Sequence, residues 1–174
     1  MQRYLQFVDR YFTPLYQLNV KGKALEDHLI LQHSNRICIV TVAPSHAMFQ
    51  CRRKITNVDF QVTSKLNRLD NKVSGKRKRG AQMVNETSPL CHITCDDGSK
   101  YTISSCVKGK LIEINELLIE NPDLLAEKPC TEGFIAVILP RKVNRDKNGD
   151  DPILGDGFLS KESYCKAIAD RVSD

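Results

Sequence analysis

The sequence predicts a small, closed, mostly β domain with short helices, an aromatic segment at its N-terminal side and a helix at its C-terminal side. Three observations lead there. Short β-branched runs recur between turns rich in Gly, Pro, Asn and Asp, as at residues 37–42 and 89–95. Residues 101–140 hold a strand pattern, a glycine-centred turn, a second strand, a short helix, a proline-bounded loop and a last apolar run. Near residue 170 the pattern changes to helical spacing, with Tyr164, Ile168 and Val172 on one stripe.

Bulk properties narrow the class. With 174 residues the chain suits one ordinary domain with extensions, and 41% hydrophobic against 27% charged residues is a globular composition. The longest apolar run, residues 134–139, is far short of the roughly 20 residues of a membrane-spanning helix. Residues 1–10 show no apolar signal region, which implies a nucleo-cytosolic chain. Seven cysteines in such a chain read as reduced thiols filling the core, and the sequon at Asn85 carries no meaning without secretion. A net charge of +5 permits an acidic partner without demanding one.

Taken in order, Tyr4, Val8, Tyr11, Phe12 and Leu15 follow helical spacing up to Pro14, so a short amphipathic helix packed on the core is expected within residues 1–18. Residues 29–31 and 37–42 form a hairpin turned at His33-Ser34-Asn35-Arg36 and ended by Pro44. Alternation across Val58, Phe60 and Val62 marks a half-buried strand. Gly75 and Gly80 then bracket four consecutive cations, Lys76, Arg77, Lys78 and Arg79. The strand at 89–95 runs into Asp96-Asp97-Gly98-Ser99, a hairpin tip in which Asp-Gly supplies the positive-φ position. Leu111 to Ile114 form a strand, Asn115 is an N-cap for a helix through Glu120, and Asn121-Pro122 stops it. The run 134–139 reads as a strand buried on both faces. Residues 141–151 are a charged linker, and Ser160 caps a terminal helix with Leu159 and Tyr164 as its hydrophobic staple.

Val73-x-Gly75 and Val107-x-Gly109, 34 residues apart, suggest two similar β-turn-β halves. Val107 to Leu118, followed by Asn121-Pro122 and Glu132-Gly133, resembles the glycine cleavage H-protein of the lipoyl/biotinyl carrier group. Longer strings carry a closer resemblance: Val8-Asp9-Arg10-Tyr11-Phe12, Ile30-Leu31-Gln32-His33-Ser34-Asn35-Arg36-Ile37-Cys38, Asn71-Lys72-Val73-Ser74-Gly75-Lys76 and Ser104-Ser105-Cys106-Val107. On these the chain resembles the Abitram (Simiate) family of actin-binding transcription modulators. The resemblance implies a barrel-sandwich hybrid of the lipoyl/H-protein type. Segment 1–18 would pack on a domain at 19–142, followed by a linker at 143–157 and a C-terminal helix at 158–174. It also implies a non-enzymatic role: binding of monomeric or filamentous actin, regulation of polymerisation and of protrusions such as filopodia and dendrites, and modulation of transcription through nuclear machinery. The expected locations are nucleus and cytoplasm, including nuclear speckles, lamellipodia, growth cones and dendrites.

The same resemblance bears on the chemistry. Gly98, eleven residues before Gly109, stands where an H-protein carries its lipoylated lysine, and the nearest lysine is Lys100. Two residues displace a side chain by about 6–7 Å along a strand, so no cofactor is expected, and a lipoyl- or biotin-type carrier using Lys100 is the alternative. Cys91, His92 and Cys95 have zinc-ligand types but no second pair at finger spacing, and alternation puts His92 on the opposite face, so they read as core residues. Cys106 and Cys130 lack a His partner for nucleophilic chemistry, so no catalytic residue is expected. Lys76, Arg77, Lys78 and Arg79 are the candidate partner-binding or nuclear-localisation residues. A basic nucleic-acid or transcription-complex adaptor is the remaining alternative, although no aromatic platform lies between Phe60 and Tyr101. No membrane contact and no small-molecule substrate are expected.

Overall fold

The computed structural model describes residues 10–141 and 157–173. Strands β1 (Phe12–Gln17), β2 (His28–His33) and β3 (Cys38–Val42) come first, followed by β4 (Ile55–Asp59), β5 (Gln61–Thr63) and β6 (Leu66–Asn67). Next come β7 (Met83–Val84), β8 (Pro89–Cys95), β9 (Lys100–Ser104) and β10 (Gly109–Ile114). Helices α1 (Leu117–Glu120) and α2 (Leu124–Glu127) precede β11 (Ala136–Pro140), and α3 (Lys161–Ser173) follows it. Six strands form one sheet in the order β1-β2-β3-β11-β10-β7, a second sheet is β4-β8-β9, and β5 pairs with β6. Every pairing is antiparallel.

The core lies between the two larger sheets. Ile30, Val40, Leu111 and Ile138 from the first meet Ile55, Val58, Leu90, Ile93 and Ile103 from the second in one buried cluster. A hydrogen bond from the Ser104 N–H to His28 Nε2, at 3.1 Å, ties the sheets together inside that layer. Strand β2 is buried on both faces. Ile30 points inward, while Leu29 and Leu31 lie in a second cluster with Tyr16, Ala43 and Tyr164. Helix α3 therefore covers the outer face of the β1–β3 end, with the Tyr16 and Tyr164 rings stacked 3.8 Å apart at 8°. Ser160 Oγ accepts from the Ser163 N–H at 3.3 Å and caps that helix, and Leu159 joins the same cluster as Tyr164.

Several local expectations change. Phe12–Gln17 is a strand, not part of a helix, while residues 1–9 lie outside the described residues. Tyr16 exchanges hydrogen bonds with Leu159, at 2.9 and 2.7 Å, so its N–H points away from β2. Pro14, two residues earlier, lacks a donor on that same outward side, and proline is tolerated there. The half-buried strand expected around Val58 breaks at Phe60 into β4 and β5. The 134–139 run is not buried on both faces: Ala136 and Ile138 are buried, Val137 and Leu139 only half-buried. Asn115 does not cap α1 with its side chain. Its Nδ2 instead donates to the Glu132 and Phe134 carbonyls, both at 2.7 Å, and closes the loop onto β10. That loop contains the extra turn α2. Val172 is 84% exposed rather than docked. Gly75 and Gly109 are not equivalent either, since Gly75 turns at φ 68° whereas Gly109 lies against the Leu139 carbonyl. The linker expected at 141–151 falls, beyond Arg141, outside the described residues.

Candidate functional site

The four cations sit on a short, closed turn. Ser74 and Arg79 exchange backbone hydrogen bonds of 3.0 and 2.9 Å, and the Lys78 N–H donates to the Gly75 carbonyl at 3.0 Å. Gly75 at φ 68° and Lys78 at φ 50° complete it. Residues 75–78 are thus held between a paired base of Ser74 and Arg79, with Lys76, Arg77 and Arg79 exposed and Lys78 half-exposed. The loop expected from the glycine spacing is present and ordered by its own backbone.

The base of the turn is anchored by polar side chains. The Asn71 amide bridges β10 and Gln82: its Nδ2 donates to the Leu111 carbonyl at 2.9 Å and its Oδ1 accepts from the Gln82 N–H at 2.7 Å. The Gln82 Oε1 accepts from Arg68 Nη1 at 2.8 Å, and the Arg68 Nε and Nη2 both donate to the Pro89 carbonyl. Arg68 is 3% exposed, and its burial pulls its pKa down while neutral oxygens accept its protons. The sequence marks neither Arg68 nor Gln82 as part of the site, because the bonds that join them span 14 to 21 residues.

Further cations gather at this end of the sheet. The Lys110 Nζ donates to the Arg77 carbonyl at 2.8 Å, and the Arg141 N–H donates to the Lys108 carbonyl at 3.0 Å. Lys72 lies directly behind Gly80, where a Cβ would strike its carbonyl. None of Lys72, Lys76, Arg77, Lys78, Arg79, Lys108, Lys110 and Arg141 pairs with a carboxylate among the described residues. Lys108-x-Lys110 was the available sequence signal, two like charges on one face of a strand.

The β8–β9 hairpin has a different character. Gly98 occupies its tip at φ 82°, and exposed Lys100 begins β9 opposite Thr94. The tip is tied down. The Lys54 N–H donates to Asp96 Oδ1 at 3.2 Å, and the Asp96 N–H to the Lys54 carbonyl at 2.9 Å. Arg53 Nε meets Asp97 Oδ2 at 2.7 Å, and Arg53 Nη1 donates to the Tyr101 hydroxyl at 2.8 Å. At this tip stand a glycine and two engaged aspartates, and the nearest lysine, Lys100, lies two residues on at the start of β9.

Of the remaining polar groups, two histidines are fully buried. The His28 Nε2 accepts from Ser104, so its Nδ1 carries the proton toward the Glu26 carbonyl at 3.3 Å. The His46 Nδ1 accepts from the Met48 N–H at 3.2 Å, which leaves Nε2 protonated and without a partner, its ring 5.2 Å from Tyr101 in an edge arrangement. Burial, with His46 adding repulsion, pushes His28 down to about 3, and burial pushes His46 down to about 4. Both are neutral core residues. Cys91 and Cys95 are buried, while half-buried His92 faces the other way toward Thr102 and the Val62 carbonyl. Burial pushes the Cys38 and Cys106 thiols up to about 12 and also raises Cys91, so none of the three is a thiolate near neutrality.

Comparison with known proteins gives one answer. The family model described as "Glycine cleavage H-protein" matches residues 78–151. Among solved structures, the crystal structure of a glycine cleavage system H protein from Mycobacterium marinum superposes with a TM-score of 0.53. It covers 82% of this chain and 91% of that one at 11% identity, so the likeness is one of fold, the barrel-sandwich hybrid. In sequence the chain is 51% identical to Protein Abitram of Danio rerio, over 94% of this chain and 89% of that protein. It is 49% identical to Protein Abitram of Homo sapiens, over 95% and 88%. Protein Abitram of Dictyostelium discoideum is 36% identical over 91% and 86%.

Proposed function

Because the chain belongs to the Abitram family, with about half its residues shared along most of its length, we propose that it is a non-enzymatic actin-binding protein. In this reading it regulates actin polymerisation and the growth of protrusions such as filopodia and dendrites, and it has a second, transcription-modulating role in the nucleus. Family membership supports the reading in general. One structural observation supports it in particular, the backbone-closed turn that presents Lys76, Arg77, Lys78 and Arg79 without a described carboxylate partner. Such a positive feature suits an acidic protein surface, because the backbone that carries its charges is already ordered before contact. The same four residues are proposed as the nuclear-localisation signal. No cofactor, membrane or small-molecule substrate belongs to this reading.

Co-sedimentation of the full chain with actin filaments tests it. Binding is expected to weaken as salt rises, as for any contact between exposed charges. Changing Lys76, Arg77, Lys78 and Arg79 together to alanine is expected to reduce it about tenfold or more, equivalent to about 1.4 kcal/mol. A folded wild-type chain that leaves both filaments and monomers unbound at low salt removes the actin reading. A fluorescent fusion with the same four changes reads localisation separately: it should lose its nuclear fraction, and an unchanged distribution removes the signal assignment.

A further inference from the structure

We propose that the half of the six-stranded sheet's outer face left open among the described residues, on β7, β10 and β11, is a docking surface for an acidic protein segment in which carboxylates alternate with apolar side chains. The proposal rests on reading the basic turn as a partner contact, and it moves the centre of that contact from the turn to the strands.

Strand register defines the face. Leu111 and Ile138 are partners in the core, so their neighbours Lys110 and Leu139, also partners, point outward. On the other side of β10 Lys110 is opposite Met83, while Gly109 is opposite buried Val84. Met83, Lys110 and Leu139 therefore form one transverse row on the outside. Lys108 and Arg141 form the next, joined by the backbone bond between them. The turn carrying Arg77 leans onto this face through Lys110. Across the sheet, Leu29, Leu31 and Ile39 of β2 and β3 lie under the cluster that holds Tyr164 and Ile168 of α3. One sheet face is thus apolar and covered at one end, and mixed apolar and cationic at the other. Among the described residues nothing covers Met83, which is 58% exposed.

The composition of the open end names the occupant. Lysines and Arg141 alternate with Met83, Leu139 and Val137, and the only carboxylate on the three strands, exposed Glu113, is the partner of Val137 at the end of the face away from Lys108. An acidic segment with interleaved apolar residues matches both components, and positive charge concentrated at the Lys108 end fixes its direction. A single-stranded nucleic acid would need stacking platforms, and β7, β10 and β11 contain no aromatic residue.

The test uses the full chain and a fluorescein-labelled peptide of alternating Glu and Leu, with a second peptide of alternating Glu and Ser, a labelled oligouridine and actin filaments in parallel. Lys108→Glu/Lys110→Glu should weaken the Glu-Leu peptide at least about tenfold, and Lys108→Ala/Lys110→Ala by less. Met83→Ser should weaken the Glu-Leu peptide about threefold and leave the Glu-Ser peptide unchanged. Lys65→Glu/Lys166→Glu, with the same net charge at exposed sites elsewhere, should change neither. Equal losses in that control pair would show a net-charge effect and overturn the proposal. Oligouridine binding with the Lys108/Lys110 dependence, in place of the peptide, would overturn it in favour of a nucleic-acid surface. Peptide binding that follows the pattern while wild-type filaments do not bind supports the face and removes the actin reading. Filament binding lost in the four-alanine turn variant but kept in Lys108→Glu/Lys110→Glu overturns the face and keeps the actin reading.

Discussion

Arg53 holds Asp97: its Nε lies 2.7 Å from the Asp97 Oδ2, while its Nη1 donates to the Ala47 carbonyl at 2.9 Å and the Tyr101 hydroxyl at 2.8 Å. One guanidinium thereby joins the tip of the β8–β9 hairpin to the start of β9 and to the segment before β4. A carrier hairpin must offer a lysine at a free tip, and this tip offers Gly98 between two engaged neighbours.

Expression with lipoyl and biotin ligases should therefore leave the intact mass of the chain unchanged. A mass increase that maps to Lys100 would restore the carrier reading.

The C-terminal helix is held by a second long-range pair. The Arg171 Nη1 donates to Asp27 Oδ2 at 2.6 Å, where the carboxylate is fully buried and also accepts from Ser45 Oγ and the Asn19 N–H. Burial pushes the Asp27 carboxyl up, but the bonds from Arg171, Ser45 and Asn19 outweigh it and hold the group below the ordinary value. Arg171→Ala strands that charge with two donors left, so a loss of about 2 kcal/mol is expected, below the full penalty of breaking a buried pair. Urea unfolding measures it. Limited proteolysis should also cut α3 faster, and equal digestion rates would show that other contacts hold the helix.

Acid should weaken the fold in two stages. Folded His28 and His46 bind their protons near pH 3 and 4, whereas an unfolded histidine does so near 6.5. Their unprotonated packing is fully favourable above about pH 6.5, and the unfolded state gains as pH falls from there toward 4. Asp27 acts lower: its stabilisation is complete above the unfolded carboxylate value near 3.9 and is lost as pH falls through its depressed folded value. Urea midpoints should drop between pH 7 and 4 by an amount on the order of a few kcal/mol in free energy. His46→Asn keeps an acceptor for the Met48 N–H and removes the titration, so its profile should be flatter. Parallel profiles would remove His46 from the account.

Gly109 is required by contact rather than by dihedral angle. A methyl group there would overlap the Leu139 carbonyl and the Pro140 Cα, both backbone atoms that cannot swing aside. Gly109→Ala should therefore cost about 2–3 kcal/mol or more by forcing β10 and β11 apart. Gly75→Ala meets no atom within 4 Å and suffers only its positive φ, so about 1 kcal/mol is expected. Thermal melts of the two variants compare them directly, and equal losses would contradict the close-approach argument.

Much of this architecture was readable because it is local. The hairpins at His33–Arg36 and Asp96–Ser99 follow from turn chemistry, and the bracketed cations from their glycines. Strand β1 was not readable, because aromatic spacing imitates a helix and the sheet-edge position that excuses Pro14 follows from the order of the whole sheet. Asn115 looked like a cap, since nothing nearby announces the Glu132 and Phe134 carbonyls it reaches. For the site, the turn was legible while the strand cations and Met83 were not. Their shared face is set by pairing β10 with β7 and β11, whose partners lie up to about thirty residues away.

The bond between Asp27 and Arg171 has a consequence for synthesis, since its ends are separated by 144 residues. At about 5–20 residues per second, the carboxylate waits roughly 7–30 s after translation for its guanidinium. Every strand of the sandwich has left the peptidyl-transferase centre by then. The nascent chain therefore passes through an interval in which β1 to β3, and β4 with β8 and β9, can pair while an aspartate remains uncompensated and the hydrophobic surface of Leu29 and Leu31 lacks its helix. That interval is when ribosome-associated chaperones have something to hold.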